Sequence, residues 1–231
     1  MKPEELKSAR EQRGWTQQQA AAHLAVSQPY LSLLESGKRT LTPRLMRRLA
    51  RAYGLPPTAL PPADLFQAKV SPPERELAED LANLGYPGFA YLRSRRPKKN
   101  PLEVLLVALA KEDLEPRLTE ALPWLLLRFE PMNTEYLVRQ ARLHNLQNRL
   151  GFVVNLARRS AEGTPRYQHR VPALLRLEQE LEQSRLARED TLCDASLGPA
   201  HRRWLAEDRP PEAVHWNLLT DWRPEHLRYA V

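Results

Sequence analysis

The sequence predicts an all-α protein with a small N-terminal domain and a larger helical C-terminal one, on three observations. Apolar residues recur at helical spacing along most of the chain, as in Leu102, Leu105, Leu106 and Leu109, or Leu174, Leu177 and Leu181. Alternating strand-like runs are lacking. Prolines and glycines break the apolar runs where helices must start or stop, and four prolines fall between Pro61 and Pro73 among few core residues. Residues 1–62 are therefore read as the first domain, 63–71 as the linker within this Pro-rich stretch and 72–231 as the second domain.

Taken in order, the first domain is best marked between Thr16 and Glu35. Thr16 can cap a helix with its hydroxyl while Gln19 reaches back to the Thr16 amide, so a second helix starts at about Gln17. Ala20, Ala21 and Leu24 follow at helical spacing, and the small Ala21 admits a close helix crossing. Ala25 and Val26 make the turn; a positive φ at Ala25 would cost on the order of 1 kcal/mol. Ser27 is a favoured N-cap, Pro29 fits the first turn, and a third helix runs to about Ser36, with Gly37 as its left-handed exit. Thr42-Pro43 opens a fourth helix that turns Leu45, Met46, Leu49 and Ala50 inward and Arg44, Arg47, Arg48 and Arg51 outward. A short fifth helix is expected around residues 57–60.

Two short helices joined by a tight turn have the spacing of a unit that inserts into DNA. In the third helix Tyr30, Leu31 and Leu34 can pack, leaving Gln28, Ser32 and Leu33 on an open side. Glutamine pairs with N6 and N7 of adenine in the major groove, and apolar groups meet the thymine methyl. Gln28 is thus the first candidate for base contact, followed by Pro29, Ser32 and Leu33. Charge points the same way: the first 60 residues hold ten Lys or Arg against four acids, whereas the rest of the chain holds 25 basic and 24 acidic groups. A localised positive face binds phosphates through counterion release.

Residues 4 to 60 resemble the Cro/C1-type (Xre) helix-turn-helix family, a five-helix domain, through Leu6, Arg10, Gln17, Gln18, Val26, Leu31, Leu34, Glu35 and the Gly37-Lys38 exit. The resemblance implies a structural pair between Arg10 and Glu35. It implies Gln17 as a phosphate contact at a helix N-terminus, with Lys38 and Arg39 holding the backbone on the far side. Ala25 departs from the family, which most often has glycine there. The candidate DNA-binding set is Gln17, Ser27, Gln28, Pro29, Tyr30, Ser32, Leu33, Lys38 and Arg39.

The second domain is expected to be an irregular bundle or a HEAT-like array. Its helices are read from Ser71-Pro72 to Leu84, from Asn100-Pro101 onward, from Leu114 to Phe129 with a bend at Pro123, and from Asn133 to about Ala161 with a break or kink at Gly151. A last one runs from Val171 to about Leu192, with Glu178, Glu180 and Glu182 outward. Trp204, Trp216 and Trp222 either staple the C-terminus onto this domain or form a docking surface. Arg93, Arg95, Arg96, Lys98 and Lys99 are read as a solvated loop or as a second phosphate contact.

Catalysis and cofactors are not expected. There is no G-x-S-x-G, Walker A or dinucleotide fingerprint, no HExxH, and no zinc-ligand rhythm among the six histidines. Cys193, the single cysteine, cannot form an intrachain disulfide and is read as a structural or exposed thiol. Apolar runs fall short of the roughly 20 residues that span a bilayer, and MKPEELKSAR has no apolar signal core, so a cytoplasmic protein is expected. The reading is a sequence-specific regulator, a repressor, binding an inverted-repeat operator as a homodimer. The segments EALPWLLL, LHNLQNRLGFVVNLAR and HWNLLTDWRPEHLRYA look similar to extensions of Xre regulators encoded beside toxin genes, which implies an autoregulating antitoxin with a toxin on its C-terminal domain. A ligand-sensing regulator without a toxin, and a regulator with an enzymatic helical domain, stay open as alternatives.

Overall fold

The structure, a computed structural model, describes residues 3–62 and 72–229, and the chain divides into two compact units, Met1–Ala63 and Asp64–Val231. The linker read at 63–71, and Ser71 as a helix opener, lie outside the described residues.

The first unit holds α1 (Pro3–Gln12), α2 (Gln17–His23), α3 (Gln28–Glu35) and α4 (Pro43–Tyr53). The expected fifth helix is a single 3-10 turn, Pro57–Ala59. Local chemistry sets three of the helix starts. Thr16, Ser27 and Thr42 each accept a hydrogen bond from the backbone N–H three residues on, and Gln19 completes the capping box at Thr16. Leu6, Ala20, Leu24, Leu31, Leu34 and Leu49 are all but fully buried and form one core with Tyr53. Gly37 exits α3 at φ 73°.

Ala25 sits at φ 43°, and the amides of Ala25 and Val26 return to the carbonyls of Ala22 and Ala21, both at 3.0 Å. The chain thus leaves α2 through a left-handed cap built on alanine, where a glycine would meet no Cβ penalty. Ala25→Gly is expected to stabilise the protein by about 1 kcal/mol. A higher urea midpoint at unchanged m value for this unit's transition would show it.

The second unit comprises α5 (Glu74–Leu84), α6 (Pro101–Leu109), α7 (Pro116–Arg128), α8 (Thr134–Leu143), α9 (Gln147–Glu162), α10 (Val171–Glu182), α11 (Pro199–Asp208) and α12 (Pro211–His215). It is an irregular bundle around α9, which packs on α7, α8, α10 and α12; an array of repeats would meet only sequential neighbours. Leu150, Phe152, Val153, Val154 and Ala157 of α9 have no exposed surface.

Several expectations are corrected here. The helix read from Asn133 to Ala161 is two helices, and the break falls at Asn145, in left-handed backbone at φ 57°, with the Leu146 amide returning to Ala141 O at 2.9 Å. Asparagine tolerates that conformation better than most residues. Gly151 does not break α9. It leaves space for the indole of Trp216, which a Cβ would overlap. The helix from Val171 stops at Glu182 rather than Leu192: the amides of Ser184 and Arg185 turn back to the carbonyls of Leu181 and Glu182, and Asp190–Thr191 (β1) then pairs in parallel with Leu218–Leu219 (β2). Glu178, expected outward, is half-buried and accepts hydrogen bonds from Arg158 Nε at 2.6 Å and Asn155 Nδ2 at 2.8 Å. α7 runs as one helix with Pro123 inside it.

The tryptophans of the C-terminal segment divide. Trp216 is fully buried and Trp222 packs against the core, whereas Trp204 is 46% exposed. Cys193 is buried beneath Arg149, whose guanidinium donates to the carbonyls of Leu109 and Lys111 and forms a two-pronged pair with Asp190. Burial pushes the Cys193 thiol up to about 11. Its neutral form favours the fold below the ordinary thiol value, and that contribution is lost as pH rises from there through about 11. Native protein at pH 8 is expected to resist a thiol-selective reagent and to react with one equivalent once denatured. Rapid native labelling would contradict the buried position.

Candidate nucleic-acid interface

The site is built on α2 and α3 and fixed from beneath by charge. Arg10 of α1 and Glu35 of α3 lie 25 residues apart in sequence and meet through Nε–Oε1 at 2.7 Å and Nη2–Oε2 at 3.1 Å. Both side chains are less than a tenth exposed. Arg10 Nη1 also donates to the Trp15 carbonyl at 2.8 Å, which ties the loop before α2 to the same guanidinium. The hydrogen bond from Arg10 to Glu35 raises the arginine above its ordinary value against the opposing effect of burial, so the charged pair holds. Trp15 stacks on His23 at 4.2 Å between ring centroids and meets Tyr53 edge-on, closing the core beside the pair.

From Glu35 a polar chain runs outward. Gln17 Nε2 donates to Glu35 Oε2 at 2.9 Å, and Gln28 Nε2 donates to Gln17 Oε1 at 2.7 Å. The first residue of α2 therefore positions the first residue of α3, and the whole is anchored on a buried ion pair. Gln28 itself is exposed, and its amide keeps its carbonyl oxygen and a second N–H beyond the bond to Gln17. That remaining acceptor and donor are the pair adenine requires at N6 and N7.

The other candidate residues surround this point. Pro29 is exposed, Ser32 and Tyr30 are half-buried, and Leu33 is 36% exposed. Ser27 is exposed and its Oγ accepts from the Tyr30 amide at 3.3 Å, so it shapes the start of α3 as well as lying beside the open face. Lys38 and Arg39 are exposed beyond the other end of α3, and the Arg39 amide donates to Leu33 O at 3.1 Å. Gln17, expected as a phosphate contact through the N-terminus of α2, has both ends of its side-chain amide engaged within the fold. The coupling of Gln17 to Gln28 was missed in the sequence. Nothing in a spacing of 11 residues announces it, because it depends on how α2 and α3 cross. Arg13 was missed too; its Nε donates to Tyr53 O at 2.8 Å and fastens the end of α1 to the end of α4.

Among the described residues no group of three His, Cys, Asp or Glu is placed to hold a metal ion, and no helix is long and apolar enough to cross a membrane. No curated protein and no solved structure matches the chain. Residues 4–62 do match a family model described as a helix-turn-helix domain. Together with capped helices α2 and α3 and the open face of α3, that match makes the N-terminal unit a helix-turn-helix domain.

Proposed function

We propose that this chain is a sequence-specific DNA-binding regulator of the Cro/C1-type (Xre) class, a repressor that binds an inverted-repeat operator as a homodimer. The observation that carries the reading is Gln28, held at the start of α3 by the chain from Arg10 and Glu35 through Gln17, with an acceptor and a donor left for a base edge. A side chain oriented before binding loses less freedom on contact, so it discriminates better between bases. Pro29, Ser32 and Leu33 extend the readout, while Lys38 and Arg39 grip the phosphate backbone.

The second unit supplies oligomerisation or partner binding, and the partner we assign is a toxin whose antitoxin this chain is. Among the large apolar and aromatic side chains that this unit leaves exposed, Leu143, Trp204 and Val214 support a protein-binding role. No catalytic step is assigned to the chain. The test is a gel-shift series at rising salt with DNA from upstream of its own gene. The intact protein should retain that fragment at salt concentrations that release random DNA of equal length. Equal retention of both would overturn the specific-regulator reading.

A further inference from the structure

We propose that the loop from Arg93 to Lys99 in the second unit is an additional DNA-binding site, gripping the phosphate backbone outside the bases that α3 reads. This inference rests on the DNA-binding reading above. The loop carries five cations within seven residues, and the structure divides them by role. Arg96 pairs with Glu76 at 3.0 Å and Glu79 at 3.2 Å, and Lys99 with Glu76 at 3.1 Å and Asp80 at 2.7 Å. Arg75 pairs with Glu79 at 3.4 Å. The three acids on this face of α5 are thus matched by Arg75, Arg96 and Lys99. Arg93, Arg95 and Lys98 are left exposed as a positive excess, with no ion pair of their own among the described residues.

The paired cations tether the loop to α5, which separates it from an ordinary solvated run. The Ser94 amide donates to Asn83 Oδ1 at 2.9 Å, Asn83 Nδ2 donates back to Ser94 Oγ at 3.0 Å, and Arg93 Nε donates to Ala82 O at 3.3 Å. The ion pair with Lys99 holds Glu76 below the usual carboxylate range despite the opposing effect of burial, whereas burial raises Asp80 despite the same lysine. Beside the free cations Tyr91 is 70% exposed, and a tyrosine hydroxyl is a common donor to phosphate oxygen. Arg117, which lies over the Phe89 ring and donates to Gly88 O at 2.9 Å, adds a further exposed cation at the other end of the same 3-10 segment, Pro87–Leu92.

A tethered cluster of uncompensated cations with an exposed aromatic fits a polyanion. DNA is the polyanion the same chain already meets. Two modules on one chain bind one duplex more tightly than either alone, because the second contact is intramolecular.

The test uses the full chain and two fragments of upstream DNA, one trimmed to the protected site and one extended on both sides. Arg95→Gln/Lys98→Gln removes two free cations and leaves every anchor in place. On the extended fragment each lost phosphate contact should lower the salt slope by about 0.9, so the fall in affinity between 50 and 200 mM salt should shrink about tenfold for the pair. The trimmed fragment should respond less. Arg176→Gln/Arg203→Gln, the same charge change at two other exposed positions, is expected to leave the slope unaltered. An unchanged slope for the loop variant, or an equal change for both double variants, would overturn the proposal and leave the loop to an acidic protein partner or to solvent. Failure of the wild-type chain to prefer upstream DNA would instead overturn the underlying DNA reading.

Discussion

Arg10→Ala is expected to cost about 3 kcal/mol or more of stability in the N-terminal unit and to abolish specific DNA binding. The substitution leaves Glu35, with a side chain only 3% exposed, as a buried carboxylate without its cation. Breaking one side of a buried pair typically costs about 3–5 kcal/mol, mostly from the stranded charge rather than from the lost attraction. Replacing both residues by methionine should therefore be far milder for stability than Arg10→Ala alone. The two readouts then separate. The double methionine variant keeps the fold but loses the acceptor that holds Gln17, so Gln28 is no longer oriented. Thermal unfolding should recover while base discrimination does not. A double variant that discriminates like the wild type would show that the polar chain is incidental to recognition.

The second large effect is expected from Gly151→Ala. Alanine ordinarily gains up to about 1 kcal/mol over glycine inside a helix. Here that gain is outweighed, because the new Cβ would overlap the six-membered ring of Trp216, a side chain with no exposed surface. Overpacking a dense core costs about 1–3 kcal/mol, and more where the neighbour is rigid. The transition of the second unit should fall by several degrees with a changed near-ultraviolet tryptophan signal. Trp216→Leu in the same chain should partly relieve the penalty, giving a coupling energy between the two sites. An increase in stability for Gly151→Ala would mean that Trp216 is not seated on α9.

These two cases also show what the chain discloses on its own. The helix-turn-helix was legible because its signals are local: the Thr16 and Gln19 capping box, Ser27 ahead of Pro29, and Gly37 after α3 obey rules that operate within a few residues. The left-handed backbone at Ala25 was suggested only by the resemblance to a family whose members most often have glycine there. In the second unit the decisive partners are distant. Gly151 looked like a helix breaker until Trp216, 65 positions later, is placed against it. Asn145 is the kind of residue that ends a helix in left-handed backbone, but the apolar spacing continuing on both sides of it masked the break. The segment after α10 pairs as a strand with residues 218–219, and the role of Glu178 is set by Arg158 one helix earlier. The basic loop was visible as charge, but its division into anchors and free cations depends on the acids of α5. At the candidate site the sequence named Gln17 and Gln28 separately; their hydrogen bond emerges only from the crossing of α2 and α3.

The central claim, that Gln28 at the start of α3 reads a base edge, is tested most directly by the base preference of Gln28→Ala. The assay is competition binding to a set of operator variants, each with one base pair exchanged, at fixed salt. Against wild-type protein one A·T pair in each half-site should be preferred by about 1–3 kcal/mol, and against Gln28→Ala that preference should vanish while preferences at other positions remain. Lys38→Ala should weaken every variant alike. A Gln28→Ala protein that keeps the full wild-type preference at every position would contradict the account.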